Sequence, residues 1–589
     1  MPEVTDESKM SELTDESHTS GLDETVEVLR HRTNRTQNSM GQELERIPTT
    51  ADGVYLAKVL SNKRVETGAM PEMGNGKPYP PPLTERDAYR VEYNSPEDPL
   101  CPLNWSTKTK LVQAGILSWV TMSGTFGSAI YGSAMEGIMK EFHIGTSVAA
   151  LGIFLYVLGF ASGPCVWGPS SEYFGRTMPL KISVFITLCF AFASATAKDV
   201  QTLMLSRFFA GIGASGALAV VPGILSDMFN THYRGTAAAI FSLCVIGGPM
   251  AAPIMGEFIA KSYLGWRWCL YISGILEAVS MVLVIFIRET YHPVVLVNKA
   301  RELRNRTGNW GIFAQHETIE IDFGEIATKC ITRPLKMLIT EPILLLISIY
   351  GGLVYGLLYM CLSAVPLMYR VKYGWTTGTI GLPYVGLLIG CALAALSLIF
   401  VFEPRYMKAL AKSPYPVVPE ERLQMMMVSA PIFTIGIFWM FWTGNYPKTP
   451  EHPNGCHFMI PISGGILFGY GFLGIFIPMI NYVIDSYLML AASGMAANTF
   501  VRSLMGAAFP LFSVQMFLNL HFNWAGTLVG GLSLIMIPIP FIFYFYGAKV
   551  RRKSKYAVDL SAGMREAEEE VEREELGREA SESIHATGS

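Results

Sequence analysis

Three charged side chains interrupt long apolar stretches of the sequence, and such positions are where chemistry inside a membrane would take place. Arg207, Glu277 and Arg502 each lie well inside an apolar stretch. A charge there is costly, so it normally faces the interior of a helix bundle or a wet cavity. A shielded carboxyl is suited to carrying a proton, so Glu277 is a candidate proton carrier. For Arg207 the alternative is a side chain that extends to the membrane surface.

A second set of charged residues lies in the short polar segments between the apolar stretches. The run Gly168-Pro169-Ser170-Ser171-Glu172-Tyr173-Phe174-Gly175-Arg176 has glycines that permit a tight turn. Its Glu172 and Arg176 are placed to pair with the end of a neighbouring helix, and such a pair can form in one conformation and break in another. The other candidates for coupling or gating are Asp227, Arg234, Asp485 and Arg502. We expect the last two to pair with each other as the counterpart of this latch.

An aromatic face is predicted near the start of the second half of the chain. Tyr355 and Tyr359 are one helical turn apart, so both rings lie on the same face. Two rings with hydroxyl groups suit flat or cationic organic molecules through stacking and cation–π contact. Asn481 and Asn498 would add polar contacts to such a substrate cavity. The alternative is that the two rings only pack against neighbouring helices.

The elements that must position these residues are membrane-spanning helices. The chain of 589 residues is 50% hydrophobic and only 16% charged, whereas an average soluble protein carries about 25% charged residues. Its apolar windows have the length of roughly 20 residues that crosses a bilayer, and only a helix satisfies the backbone of one such segment in lipid. The predicted spans lie near residues 111–132, 148–168, 179–197, 203–225, 236–257, 267–288, 342–366, 379–402, 425–444, 459–484, 487–513 and 524–547.

The order of these windows predicts an all-α membrane protein with twelve transmembrane helices in two six-helix halves. The expected segments are a disordered N-terminal tail (1–97), the first half (98–288), a central loop (289–341), the second half (342–548) and an acidic tail (549–589). A possible amphipathic helix in 321–339 would lie on the inner membrane surface. With the N-terminus inside, the inner segments carry roughly 22 Lys and Arg and the outer loops roughly 6. Both termini are therefore expected in the cytoplasm.

The fifth window contains a run rich in glycine and proline. It reads Gly247-Gly248-Pro249-Met250-Ala251-Ala252-Pro253-Ile254-Met255-Gly256-Glu257, and these residue types permit a kink and close packing of helices. The run resembles the antiporter signature G-P-x-x-G-P-x-x-G-G of drug:proton exporters, which marks Gly248, Pro249, Pro253 and Gly256 as its candidate positions. Ala252 and Glu257 depart from the signature at usual glycine positions. Tight packing without a role in transport direction is the alternative.

Further motifs extend this resemblance along most of the chain. Glu172 and Arg176 belong to a loop that is similar to the G-x-x-x-D/E-x-x-G-R signature of major facilitator transporters, with Thr177 in place of a second basic residue. Taken in order, the motifs resemble the fungal twelve-span drug:proton antiporters of that superfamily, in the branch that includes polyamine exporters. The remaining matching motifs are Cys101-Pro102-Leu103-Asn104-Trp105, Ser226-Asp227-Met228-Phe229, Gly265-Trp266-Arg267-Trp268, Glu289-Thr290-Tyr291, Asn481-Tyr482-Val483-Ile484-Asp485-Ser486-Tyr487 and Asn498-Thr499-Phe500-Val501-Arg502-Ser503.

The resemblance implies a major facilitator fold and a role for Arg207 in proton coupling. It also implies efflux of small amphipathic organic molecules, such as drugs, toxic secondary metabolites or polyamines, by alternating access. The expected partners are a small-molecule substrate, protons and the lipid bilayer, with no cofactor, no metal ion and a functional monomer. The expected location is the plasma membrane, with the vacuolar membrane as an alternative.

Other classes of function have less support in the sequence. An uptake permease of the same fold, for nutrients or polyamines, is the alternative function. No basic stripe suggests a nucleic-acid partner, and the scattered cysteines form no metal-ligand pattern. A membrane enzyme or an ATP-driven pump is disfavoured, because neither H-E-x-x-H nor G-x-x-x-x-G-K-[ST] occurs. We therefore expect the protein not to be an enzyme.

Overall fold

A computed structural model describes residues 72–75, 77, 89–318, 328, 332–413, 418–448, 455–487, 490–551 and 554, without the side chains of residues 231, 232, 234, 491 and 492. The predicted disordered tail as far as residue 71 and the acidic tail from residue 555 lie outside the described residues. So does most of the predicted amphipathic helix. The chain divides into two compact units, one formed by residues 1–98 and 296–319 and the other by residues 99–295 and 320–589.

The larger unit consists mainly of helices in its described residues. Its first half contains α1 (Thr107–Phe142), α2 (Thr146–Ser162), α3 (Pro164–Tyr173), α4 (Thr177–Thr196), α5 (Val200–Met228), α6 (Thr231–Lys261) and α7 (Arg267–Val284). An eighth helix, α8 (His292–Thr307), begins the central loop. The second half contains α9 (Arg333–Thr340), α10 (Pro342–Tyr373), α11 (Tyr384–Ser397), α12 (Glu403–Lys412), α13 (Leu423–Asn445), α14 (Met459–Tyr487), α15 (Ala491–Met536) and α16 (Pro538–Arg551).

Most of these helices are long and apolar enough to cross a membrane. In the described part of the chain, ten segments meet both requirements, and α2 with α3, and α11 with α12, each form one of them. The last segment, Ser493–Arg551, has 59 residues, enough for two spans of roughly 20 residues. Its backbone breaks at His521, where φ is 62° and ψ is 157°. The predicted count of twelve follows when this segment is divided there and the 36-residue α1 is added.

Helix packing in the two halves follows the same plan. In the first half α1 packs on α6, α4 on α5, and α2 on α5. The corresponding helices of the second half repeat these pairs, with α10 on α15, α13 on α14, and α11 on α14. The halves meet where α2 packs on α15 and α6 packs on α11. This repeat agrees with the two-half architecture predicted from the apolar windows.

The smaller unit joins a segment before the first span to part of the central loop. Val91 N–H donates to the Phe313 carbonyl at 2.9 Å, and Glu92 N–H donates to the Met73 carbonyl at 3.0 Å. A small apolar core is formed by Met73, Val91, Ala300, Leu303, Ile312 and Ala314. The polar composition predicts a disordered tail that includes residues 72–97, but the described part of this segment has ordered contacts. The division of the chain into five segments otherwise stays a prediction.

Candidate functional site

Arg207 is held inside the first half by backbone carbonyls. Only 2% of the residue is exposed, which excludes the alternative in which its side chain reaches the membrane surface. The guanidinium donates three hydrogen bonds, which are to the carbonyls of Gly127 at 2.8 Å, Ser128 at 3.2 Å and Gly152 at 3.2 Å. These carbonyls belong to α1 and α2, so the arginine on α5 ties three helices together.

Two tyrosine rings enclose the same guanidinium. Its central carbon lies 4.1 Å from the ring centre of Tyr156 and 4.9 Å from that of Tyr131. Close approach of the helices makes this possible, because a Cβ at Gly211 would come within 2.1 Å of the Tyr156 carbonyl oxygen. Partial desolvation strengthens the attraction between a cation and a ring. Arg207 is therefore fixed in place by contacts that do not involve a carboxylate.

Glu277, the candidate proton carrier, lies near Tyr156, which also feels the charge of Arg207. Its side chain is 2% exposed and lies beside Ser123. Ser123 is in turn 2.7 Å from Ser280, oxygen to oxygen. One carboxyl oxygen, Oε1, is buried without a partner among the described residues. The structure thus brings a shielded carboxyl to within one tyrosine ring of Arg207.

The predicted aromatic face connects the two halves. The rings of Tyr355 and Tyr359 lie 5.1 Å apart, centre to centre. The Tyr359 hydroxyl is 3.0 Å from the Ser128 hydroxyl, and the Ser128 carbonyl accepts from Arg207. Tyr355 lies on the other side, where its ring centre is 5.1 Å from the Arg502 guanidinium. A continuous set of contacts therefore runs from Arg207 in the first half to Arg502 in the second.

The two asparagines predicted for the cavity differ in position. Asn498 is fully buried and donates to the Ser348 hydroxyl at 3.4 Å, while its side-chain oxygen is buried without a partner among the described residues. It lies one turn before Arg502 on α15, so both face the same way. Asn481 is half-buried on α14, and the described contacts do not connect it to this cluster.

The predicted latch around Arg176 forms, although not with Glu172. Arg176 Nε donates to Asp227 Oδ2 at 3.2 Å, across from the start of α4 to the end of α5. Glu289 accepts from the Arg176 N–H at 2.8 Å and from the Thr177 hydroxyl at 2.8 Å. Thr177, which stands where the signature has a second basic residue, is thus a partner of this carboxylate. The motif Glu289-Thr290-Tyr291 matches the family in sequence, but it gave no indication that the Glu289 carboxylate binds Arg176 and Thr177.

The other two residues predicted for this region take no described part in the latch. Glu172 is exposed, and no ion pair is recorded for it in the described part of the chain. The side chain of Arg234 lies outside the described residues, so its predicted role is not tested. Gly175, with φ of 87°, makes the turn that brings the Arg176 N–H onto Glu289.

The second half contains a matching latch, and here the predicted pairing was wrong. Asp485 does not pair with Arg502, which lies deep inside α15. It accepts from Arg422 Nε at 3.1 Å, and Arg422 also pairs with Glu403 at 3.0 Å. The guanidinium lies 3.5 Å from the ring centre of Tyr406. Arg176 and Arg422 each precede the third membrane span of their half, which is α4 or α13. Each pairs through Nε with an aspartate near the end of the fourth span, which is α5 or α14.

The glycine and proline run in α6 packs closely against α1. A Cβ at Gly248 would meet Thr125 Oγ1 at 2.4 Å, and one at Gly256 would meet Ser133 Oγ at 2.8 Å. Pro249 and Pro253 lie inside the helix. These contacts fit the packing interpretation of the run, and its association with export stays a prediction.

At the end of the bundle opposite the latches, the two halves touch through polar residues. Arg370 on α10 pairs with Glu136 on α1 at 3.0 Å, and Gln515 on α15 donates to Ser147 on α2 at 2.9 Å. Both groups of the ion pair are 42% exposed, so the pair is weak in energy and easily broken. The halves are therefore closed against each other at this end by contacts that cost little to open.

Comparison with known proteins identifies this architecture. The sequence profile described as Major Facilitator Superfamily matches residues 117–510. The major facilitator superfamily multidrug transporter FLU1 of Candida albicans is 47% identical, over 83% of this chain and 80% of that protein. The multidrug transporter TPO1_2 of Candida glabrata is 44% identical, over 86% of this chain and 87% of that protein.

A more distant relative and a solved structure agree with this result. The citrinin biosynthesis cluster MFS transporter mrr1 of Monascus ruber is 40% identical, over 80% of this chain and 93% of that protein. The proton:xylose symporter XylE, bound to 6-bromo-6-deoxy-D-glucose, superposes with a TM-score of 0.52 at 15% identity. That match covers 75% of this chain and 96% of the symporter and shows the fold alone. The chain is therefore a multi-pass membrane protein that belongs to the Major Facilitator Superfamily.

Proposed function

We propose that this protein exports small amphipathic organic molecules, such as drugs, toxic metabolites or polyamines, in exchange for protons. Relatives named as multidrug transporters, which match over more than four fifths of this chain, support the class of cargo and the direction. The main structural support for the proposal is the continuous set of contacts that links Arg207 in the first half to Arg502 in the second. It runs through Ser128, Tyr359 and Tyr355. It lies where the two halves meet, which is where transporters of this fold bind their cargo.

The proposed mechanism is alternating access by rocking of the two halves. Glu277 takes up and releases the proton, and Arg207 positions the tyrosine that separates it from the cargo. The Arg176–Asp227 and Arg422–Asp485 pairs each tie two helices of one half together at one end of the bundle, while Glu136–Arg370 joins the two halves at the other end. Because a ligand shifts such an equilibrium only by binding the two states differently, cargo and proton must each favour a different state.

The same proposal includes the setting in which the protein works. Membership of a transporter family confirms that the chain is not an enzyme. We place it in the plasma membrane, with the vacuolar membrane as the alternative, and with both termini in the cytoplasm. We expect it to function as a monomer, because both halves of the bundle come from one chain.

The test is proton-driven transport of rhodamine 6G by the full-length protein in liposomes. We expect the dye to accumulate when a proton gradient is imposed, and a protonophore to abolish this. Arg207→Gln should lose driven transport yet keep dye exchange in the absence of a gradient, because the cavity remains. Arg288→Gln, an exposed position, is the matched control. Accumulation that is unaffected by the protonophore would contradict proton coupling.

The alternative function is uptake by a permease of the same fold. A growth assay separates the two in the native host. Loss of an exporter makes cells more sensitive to a toxic cargo, whereas loss of an importer makes them more resistant. Resistance of the deletion strain to every toxic compound that the liposome assay identifies as cargo would establish uptake.

A further inference from the structure

Arg502 is a buried cation whose charge no carboxylate neutralises among the residues that the structure describes. It is 8% exposed and, at about 1.5 Å per residue, lies about 14 Å along α15 from Ser493, near the middle of a span. Among the described residues, neither a hydrogen bond nor a carboxylate meets its guanidinium, and Nε is buried without an acceptor. Its described contacts are two rings, Tyr355 at 5.1 Å and Phe476 at 4.9 Å.

Arg207 shows that the same bundle can satisfy a buried arginine fully. Three backbone carbonyls accept from Arg207, and two rings enclose it. A guanidinium has five N–H donors, and leaving a buried charge without hydrogen bonds is expensive. The contrast therefore indicates that Arg502 lacks an acceptor among the described residues.

The described carboxylates inside the bundle lie elsewhere. Glu277 lies beside Ser123, and Glu257 lies beside Ser133. Glu403 and Asp485 both hold Arg422. None of them contacts Arg502, so among the described residues the acceptor is missing and a bound ligand can supply it.

The groups around Arg502 define what that ligand looks like. The rings of Tyr355 and Phe476 are nearly parallel, with 20° between their planes and 6.1 Å between their centres. They offer flat apolar surface beside the cation. The side-chain oxygen of Asn498, one turn away, is buried without a partner among the described residues, so it can accept one hydrogen bond from a hydroxyl or amine.

We propose that Arg502 binds the carboxylate of an organic cargo whose aromatic or other flat body lies against Tyr355 and Phe476. A guanidinium matches a carboxylate through two parallel hydrogen bonds. Asn498 then accepts from a donor elsewhere on the cargo. This inference rests on the proposed function, since it names the cargo class for the same site. It favours organic acids over polycations, which the unneutralised arginine repels.

The test compares two dyes that share a xanthene body but differ in charge. Fluorescein carries a carboxylate and is anionic at neutral pH, whereas rhodamine 6G is an ester and a cation. Binding is measured by fluorescence anisotropy on the full-length protein in nanodiscs, and transport is measured in liposomes. The variants are Arg502→Gln, Arg502→Lys and the exposed control Arg288→Gln.

We expect the unaltered protein and the control to bind and transport fluorescein. Arg502→Gln should weaken fluorescein binding roughly tenfold to a hundredfold, because a hydrogen-bonded charge pair is lost, and should leave rhodamine 6G binding unchanged or tighter. Arg502→Lys keeps the positive charge but loses the paired N–H donors of the guanidinium. Its affinity for fluorescein should therefore lie between those of the unaltered protein and Arg502→Gln. Removal of an unsatisfied charge should not impair folding, which thermal unfolding of each variant checks.

The other possible results distinguish an error in the carboxylate site from an error in the proposed function. If the unaltered protein transports rhodamine 6G but not fluorescein, the cargo class is wrong while the proposed function stands. Equal losses for both dyes in Arg502→Gln, or no loss for either, would also overturn the carboxylate site. Transport of neither dye in the unaltered protein would contradict the proposed efflux of such molecules itself.

Discussion

Replacement of Arg422 by glutamine should destabilise the protein more than the same change at Arg176. Arg422 and its partners Glu403 and Asp485 have side chains that are only 10%, 8% and 4% exposed. Glutamine leaves two buried carboxylates without their cation. Breaking a buried pair by removing one partner costs about 3–5 kcal/mol.

The corresponding change at Arg176 should cost less. Arg176 and Asp227 are 14% and 13% exposed, and Asp227 keeps a hydrogen bond from the Thr290 hydroxyl at 3.4 Å. Loss of one hydrogen bond to a charged group costs about 1.5–3 kcal/mol. We therefore expect the two variants to differ by about 2 kcal/mol.

The measurement is the free energy of unfolding of the purified protein, from titration of mixed micelles with a denaturing detergent. Arg405→Gln, at an exposed position on α12, is the control and should change the free energy by less than about 0.5 kcal/mol. Adding Glu403→Gln and Asp485→Asn to Arg422→Gln removes the unpaired charges and should recover most of the loss. If Arg422→Gln is no worse than Arg405→Gln, or the neutral triple variant is no better than the single one, the burial argument is wrong.

Three further predictions concern packing, the link between the halves, and pH. Gly211→Ala should prevent stable folding, because its Cβ would come within 2.1 Å of a backbone oxygen; Gly132→Ala, which meets nothing within 4 Å, should be tolerated in the same expression and unfolding assays. Tyr359→Phe should slow liposome transport without lowering the unfolding temperature, since it removes the 3.0 Å contact of the hydroxyl with Ser128 but keeps the ring. The pKa of Glu92 is held below its usual range by the hydrogen bond from Arg90. Its stabilising effect is thus present above the unfolded-state pKa and lost as pH falls through the folded-state pKa. Limited proteolysis of the smaller unit should therefore increase only when the pH falls below the ordinary pKa range of a glutamate.

The outcomes that would contradict these three expectations are specific. Normal folding of Gly211→Ala would show that α2 and α5 can move apart. Unchanged transport by Tyr359→Phe would remove that hydroxyl from the mechanism. The pH effect should disappear in Glu92→Gln, and its persistence would assign it to another group.

The sequence predicted the spans and the aromatic face because both depend on local pattern. The span predicted at 179–197 corresponds to the observed helix Thr177–Thr196, and the span predicted at 459–484 corresponds to the observed helix Met459–Tyr487. The pairing of Tyr355 with Tyr359 follows from helical spacing alone. The apolar windows and the helical spacing are properties of a single helix. They can therefore be recognised in the sequence without knowing how the helices pack.

The partners of the charged residues could not be predicted in the same way. Arg422 and Asp485 are 63 residues apart, and nothing in the spacing of the sequence relates them. The one available signal was the repeat itself. Arg422 stands just before the third membrane span of its half, as Arg176 does. Comparison of the two halves would therefore have suggested Arg422, in place of Arg502, as the partner of Asp485.

Four arginines of the bundle, Arg176, Arg207, Arg422 and Arg502, differ in what satisfies their charge, and this difference separates their roles. Arg176 and Arg422 are paired with carboxylates, and such pairs can break and form again as the halves move. Arg207 is bonded to backbone carbonyls, which neither titrate nor leave, so it acts as a fixed support for the rings around it. Arg502 has rings but no acceptor among the described residues. A buried arginine without an acceptor is stabilised when a partner supplies one. In a transporter, the partner that binds and leaves in each cycle is the cargo.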